Sequence, residues 1–364
     1  MSHYNQMALI SKILLRWYAK NGRILPWRVS PKDLKSGKTP DPYKVWVSEI
    51  MLQQTTVKTV IPYFQKFIDK WRCVDELSCA SEGEVLAFWA GLGYYARGRN
   101  LLRCAKELRG RFNSKIPNDK KKLLSLPGIG EYTASAIRSI AFGEKEVVVD
   151  ANIERVICRL FKIEKPVKQS KKDVKECASQ LFPGFHSGDL AQALMDFANS
   201  ICKPKKPSCA QCPISRSCLS FKYDVVENIP SKPIKKNKPL KMGYVFFATL
   251  RPNKFLLERR PSKGILGGLL GFPTTKWDVE RNEPTFPFKA NWFNTETVVT
   301  HEFSHFKLEL EIVIGETEYS RFDNSKYLVA ESQKFDHLSL PTLMRKVYAQ
   351  AKINDATLHS NSVT

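Results

Sequence analysis

Across the first 230 residues apolar side chains recur every three or four positions, the rhythm of helices with one buried face. Met7, Ile10, Leu14, Leu15 and Tyr18 set it over 7–18. It returns over 43–53 and 57–71, with a break or kink expected near Thr55, Thr56 and Pro62. Further helical stretches are predicted at 84–90, 98–110, 120–125, 131–141, 151–161, 172–182 and 188–202. Beyond residue 240 the period falls to two. Tyr244–Leu250 and Lys254–Glu258 are rich in strand formers. Phe306, Leu308, Leu310 and Ile312 alternate with Lys307, Glu309 and Glu311, as in a half-buried strand. An apolar helix is expected at 341–351. Between the two regimes Asn228–Pro239 gathers prolines and lysines without apolar periodicity, the mark of a linker. The pattern predicts a multidomain chain: an all-α module over 1–224, a linker over 225–241 and an α+β module over 242–364.

Charge and cysteine sharpen this picture. The 364 residues carry a formal net charge of +22. Residues 1–230 hold 38 Lys and Arg against 22 Asp and Glu; residues 231–364 hold 20 against 14. Such an excess serves either solubility or a nucleic acid partner. No apolar run is long enough for a membrane span, and Met1 to Ile10 lacks a secretory pattern. A cytoplasmic, nucleoid-associated protein of bacterial type is the expectation. All nine cysteines lie in the first module, an odd and scattered set that does not suit a disulfide framework. The last four, Cys202, Cys209, Cys212 and Cys218, are spaced x6, x2, x5 and read as a metal or cluster site, with zinc and iron–sulfur both open on spacing alone.

Three segments carry candidate chemistry. Leu126-Pro127-Gly128-Ile129-Gly130 joins two helices by a glycine-punctuated hairpin. Gly128 and Gly130 let backbone N–H groups approach an anion at a helix start, which suits a DNA phosphate. Val147-Val148-Val149 then ends at Asp150, placed to cap the helix that follows. Glu49 is the only acid between Asp41 and Asp69, within a largely apolar helix. Burial there would raise its pKa and keep it protonated. Cleaving an N-glycosidic bond needs such a pair: one acid to protonate the leaving base, one carboxylate to face the sugar cation. Hairpin, Asp and Cys quartet in this order resemble the endonuclease III superfamily of DNA glycosylases.

Within that superfamily the chain closely resembles the MutY-type adenine DNA glycosylases. The resemblance runs through Leu25-Pro26-Trp27-Arg28, Pro42 to Thr55, Gly91 to Arg97, the hairpin, the Asp150 segment and the Cys quartet. It implies an all-α helix-hairpin-helix core with an iron–sulfur loop, and removal of adenine mispaired with 8-oxoguanine or guanine in duplex DNA. It implies that Glu49 protonates the adenine and that Asp150 stabilises the sugar cation or a covalent intermediate, with Tyr132 and Asn152 assisting. Trp27, Arg28 and Gln192 match positions lining the adenine pocket. Gln54 and Tyr94 match intercalating positions, with Thr55 and Leu92 beside them. The Cys quartet matches the family's [4Fe–4S] ligands, with Lys203, Lys205, Lys206 and Arg216 in loops suited to phosphate contact. Tyr132 stands where lyase-competent relatives carry the Schiff-base Lys, so a monofunctional enzyme is expected. Lys120, Lys121 and Lys122 read as a solvated basic face. The implied partner is double-stranded DNA, bound by a monomer.

The C-terminal module resembles the NUDIX-like domain of the same family, through Arg260 to Pro273 and Glu302 to Phe306. Phe303, Ser304 and His305 match its lesion-recognition loop, with Ser304 as the hydrogen-bonding contact. No R-E-x-x-E-E cluster for magnesium follows Phe272-Pro273, so the module is expected to read rather than hydrolyse. Ala151 stands where the family usually has Gly, Gly271 where many members have an acid, and residues 29–40 look like a polar insertion. Two competing readings are an oxidised-pyrimidine glycosylase/lyase and a non-enzymatic iron–sulfur DNA-binding protein. Tyr132 and the C-terminal module argue against the first, and the two carboxylates against the second.

Overall fold

The computed structural model describes residues 3–182, 184, 186–231, 237–250, 253–261, 264–280, 283–338 and 340–361. Residues 232–236 of the expected linker and Ser262 and Lys263 of the NUDIX-like stretch lie outside the described residues. Helices come first: α1 (His3–Asn21), α2 (Pro31–Lys35), α3 (Pro42–Leu52), α4 (Val57–Lys70), α5 (Val74–Cys79), α6 (Glu82–Trp89), α7 (Ala96–Phe112), α8 (Lys120–Leu124), α9 (Glu131–Phe142), α10 (Ala151–Phe161), α11 (Val167–Leu181), α12 (Ser187–Ser200) and α13 (Leu219–Lys222). Strands follow: β1 (Leu240–Leu250), β2 (Lys254–Arg259), β3 (Leu270–Gly271), β4 (Asn291–Glu302), β5 (Lys307–Glu316) and β6 (Tyr327–Glu331), then α14 (Thr342–Asn361). Among the described residues no helix is long and apolar enough to cross a membrane.

The chain divides into two compact units, residues 1–80 with 99–234 and residues 81–98 with 235–364. In the first, several helix starts are set by side-chain caps. Asp41 accepts the Tyr43 N–H at 2.9 Å with Pro42 at the first helical position of α3. Thr56 caps α4, and Asp119 caps α8. The break between α3 and α4 falls at Gln53–Thr56, but Pro62 does not end α4. The buried Val60, Phe64 and Phe67 hold the helix on both sides of the missing N–H, so packing overrides the proline. α2, inside the expected polar insertion, is a single capped turn: Ser30 accepts from the Asp33 N–H, and Pro31 opens the helix. It buries none of its residues, so no apolar rhythm announces it. The core gathers Ile10, Leu14, Ile153, Ile157, Leu190 and Phe197 from α1, α10 and α12.

The second unit is built on a six-stranded sheet in the order β3-β2-β1-β5-β4, with β6 also pairing β2. β1 and β5 run parallel, from Leu240 opposite Lys307 to Thr249 opposite Glu316; the other pairs are antiparallel. Met344, Val347 and Ala351 of α14 cover one face, against Phe247, Phe255 and Phe272. A side chain at Gly271 would start 3.0 Å from the Met344 Cε, so an acid there would require the Met344 side chain to shift by a few tenths of an ångström. β4 and β6 carry no clean alternation. In β4 the register shifts between Asn294 and Val298, and exposed residues outnumber buried ones.

Candidate active site

α3 carries Glu49 into a buried setting. Trp46, Val47, Ile50 and Met51 surround it along the helix, and Glu49 itself is 7% exposed. Its carboxyl is pushed up to about 7, chiefly by loss of water. A hydrogen bond with Tyr132 and the charge of Arg28 oppose this rise, and the charge of Asp150 adds to it. Tyr132 sits on the first turn of α9, which packs on α3. Desolvation and the two neighbouring carboxyls raise the Tyr132 hydroxyl well above its ordinary value, so it stays a neutral donor. Glu49, Tyr132, Asp150 and Arg28 are thus brought together.

Asp150 caps α10, accepting the Ile153 N–H at 2.7 Å through Oδ1. Its Oδ2 accepts from the Asn152 side chain at 2.9 Å. Each oxygen keeps a lone pair free, and the residue stays partly exposed. Behind it Arg155 donates to the Asn152 Oδ1 at 3.3 Å and to the carbonyls of Ala198 and Cys202 at 2.8 and 2.9 Å. Trp27 is buried edge-on against Phe64, 5.2 Å between ring centres. Gln192, also buried, bonds back to the Gly188 carbonyl within α12. The Arg28 guanidinium is held by Asp196 at 2.8 Å. Sequence reasoning passed over Asp196 and Arg155. The available signal was an acid four residues after Gln192, on the same face of a mostly apolar helix.

Gly128 has φ +79, and a Cβ there would lie 2.9 Å from the Asn100 Cβ, so the hairpin needs glycine at this point. Gly130 is the N-cap of α9. Lys120 departs from the expected solvated face. Its ammonium lies 3.0 Å from Glu146 and 3.3 Å from Glu131, because the buried Glu146 draws in the nearest cations.

Cys202, Cys209, Cys212 and Cys218 line one cavity with Arg159 and Ile214. Arg159 is 2% exposed, donates to the Cys202 Sγ at 3.4 Å and to the Lys203 carbonyl at 2.7 Å, and so ties α10 to the loop. Burial raises the thiols of Cys209, Cys212 and Cys218, so these three favour the protonated form unless a cationic group sits among them. Among the described residues no group of three or more His, Cys, Asp or Glu side chains is set to hold a metal ion.

Gln54 and Thr55 follow α3; Gln54 is exposed with φ +55, a left-handed conformation that a non-glycine residue rarely adopts. In the second unit Tyr94 has φ +49 and is 47% exposed, while Leu92 is buried. Arg97 donates to the carbonyls of Leu92 and Gly93 at 3.0 and 3.1 Å, fixing the turn. β4 and β5 form a hairpin closed by the Phe303 N–H on the Phe306 carbonyl at 2.9 Å, with Ser304 and His305 exposed at its tip. The Ser304 Oγ lies 2.7 Å from the Tyr94 hydroxyl. Phe303 packs on His301, Phe306 and Trp277, with ring centres 4.7, 4.8 and 5.9 Å away.

The family described as HhH-GPD superfamily base excision DNA repair protein matches residues 47–183, and the NUDIX domain family matches residues 245–350. The adenine DNA glycosylase of Buchnera aphidicola subsp. Acyrthosiphon pisum is 33% identical over 354 residues, 95% of this chain and 98% of its own length. The human adenine DNA glycosylase is 32% identical, covering 92% of this chain and 72% of its own. Among solved structures, a thermostable thymine-DNA glycosylase superposes with a TM-score of 0.53 at 29% identity, over 60% of this chain and 98% of its own.

Proposed function

Because the chain belongs to the adenine DNA glycosylase family, we propose that it hydrolyses the N-glycosidic bond of adenine mispaired with 8-oxoguanine or guanine in duplex DNA. The observation that carries this reading is the buried Glu49, held to about pH 7 beside Tyr132 and Asp150. The adenine leaves the stack and enters a pocket walled by Trp27, Arg28 and Gln192, at an unstacking cost of a few kcal/mol. Glu49 gives its proton to a ring nitrogen, which turns the base into a neutral leaving group. The bond to the sugar breaks, and the positive charge on the sugar faces the Asp150 carboxylate. Asn152 and the cap of α10 fix the direction of that carboxylate. Water then attacks the sugar carbon and loses a proton.

Tyr132 is no nucleophile for an abasic aldehyde, and Lys120 is engaged by Glu146 and Glu131. The chemistry therefore stops at base removal. Gly128 and Gly130 offer backbone N–H groups to a phosphate. Gln54 and Tyr94, both exposed, are the candidates to fill the gap left by the flipped base, with Thr55 and the buried Leu92 beside them in sequence, and Phe303, Ser304 and His305 read the oxidised guanine. Cys202, Cys209, Cys212 and Cys218 fit a [4Fe–4S] cluster, which when bound supplies the charge that stabilises four half-buried thiolates. Arg159 and Arg155 tie that loop to α10 and so to Asp150.

A duplex with adenine opposite 8-oxoguanine, treated with alkali after a single turnover, tests the reading. Cleavage at the adenine is expected, with no efficient borohydride-trapped adduct. Inertness on that duplex together with activity on oxidised pyrimidines would overturn it. Visible sulfur-to-iron absorbance of the purified protein is expected; its absence alongside bound zinc would overturn the cluster assignment.

A further inference from the structure

α12 carries one carboxylate into a buried face. Asp196 is 2% exposed and accepts three hydrogen bonds: from the Arg23 N–H at 2.8 Å, the Arg23 Nε at 2.6 Å and an Arg28 Nη at 2.8 Å. Both arginines lie between α1 and α2, on a segment that turns where the Arg28 N–H meets the Leu25 carbonyl at 3.0 Å. One acid thus closes the segment that presents Trp27 and Arg28. Its position is one helical turn beyond Gln192, so α12 carries both Gln192 and the carboxylate that holds Arg28.

A buried ion pair contributes little net stability compared with apolar packing, though breaking one side of it is costly. What it supplies is a fixed direction. The Arg28 side chain is only 7% exposed, and its charge acts on both Glu49 and Tyr132. With one guanidinium edge on Asp196, the side chain has little freedom to swing away.

We propose that Asp196 is a positioning residue for base removal: it locks Arg28 against Glu49 so that the adenine pocket is formed before DNA arrives. Asp196 touches neither base nor sugar and acts through Arg28. The inference rests on the glycosylase reading above.

A double-mutant cycle on the full chain tests it, using single-turnover adenine release and duplex affinity for Asp196→Asn, Arg28→Met and the pair. Asp196→Asn is expected to slow release about a hundredfold, the scale of a misplaced pocket group. Duplex affinity is expected to stay near that of the parent. The double variant is expected to be no slower than Arg28→Met alone, since both changes remove the same oriented guanidinium. A double variant slowed by the product of the two single effects would overturn the proposal, as would a parent-like rate in Asp196→Asn. If Asp196→Asn does not accumulate as folded protein, Asp196→Glu keeps the charge and displaces it by one methylene. Slowed release at unchanged affinity is then expected, and loss of affinity in step with rate would contradict it. Arg23→Met leaves the Arg28 pair intact and is expected to keep most of the activity; loss as large as in Asp196→Asn would also count against the proposal. A parent inert on the adenine duplex would overturn the glycosylase reading itself.

Discussion

Glu49 keeps its proton because its surroundings offer little water, and this has a consequence for stability as well as for chemistry. In the unfolded chain the carboxyl titrates near 4.5, and in the folded protein near about 7. Between these values the folded state binds more protons, so stability falls as pH rises through the window. Below pH 4.5 the contribution is fully present, and above about 7 it is lost. The gap corresponds to about 3 kcal/mol. Glu49→Gln has no proton to lose. The expected outcome is that the variant gains on the parent by a few kcal/mol between acid and pH 8, in paired denaturant titrations. A constant offset across that range would show that Glu49 titrates normally. Glu49 was legible in the sequence because it is a lone acid in an apolar helix. Asp150 was legible because an apolar run ends on it. Asp196 and Arg155 were not, because each gains its meaning from partners distant along the chain, Arg28 and Cys202. Lys120 was misread for the same reason: its partner Glu146 stands 26 positions away.

At the scale of elements, the α8–α9 hairpin and α10 share one logic, in which a short backbone feature directs a functional group. Gly128 turns the hairpin at φ +79 against Asn100. Gly128→Ala is expected to cost about 1 to 3 kcal/mol of stability, from the left-handed backbone and the close Cβ. It is also expected to weaken duplex binding, because the N–H groups proposed to meet a phosphate would shift. Denaturant unfolding and binding titrations check both; a stable variant with parent affinity would mean that the turn is not specified by Gly128. The long amphipathic helices were readable from their apolar rhythm. α2 was not, because it buries nothing, and α5 has only six residues to show a period. β4 hid because its residues are mostly exposed and its register shifts midway. Pro62 misled because local propensity lost to the packing of Phe64 and Phe67.

At the scale of the whole molecule, the net charge of +22 suits a DNA backbone on the proposed reading and carries no information about which base leaves. Binding of undamaged duplex is expected to fall roughly a thousandfold or more between 50 and 200 mM salt, as for proteins that neutralise several phosphates. A shallow salt slope in a binding titration would contradict a phosphate-dominated contact. On the proposed reading base removal instead rests on two acids that net charge conceals, Glu49 as proton donor and Asp150 as stabiliser. The most direct measurement is the single-turnover rate of adenine release from a duplex with adenine opposite 8-oxoguanine, for the parent, Glu49→Gln and Asp150→Asn. Asp150→Asn retains a good helix cap, so its fold is expected to survive. The expected result is an active parent whose rate declines as pH rises past about 7, with at least roughly hundredfold losses in both folded, DNA-binding variants. Release from either variant at the parent's rate would contradict the account.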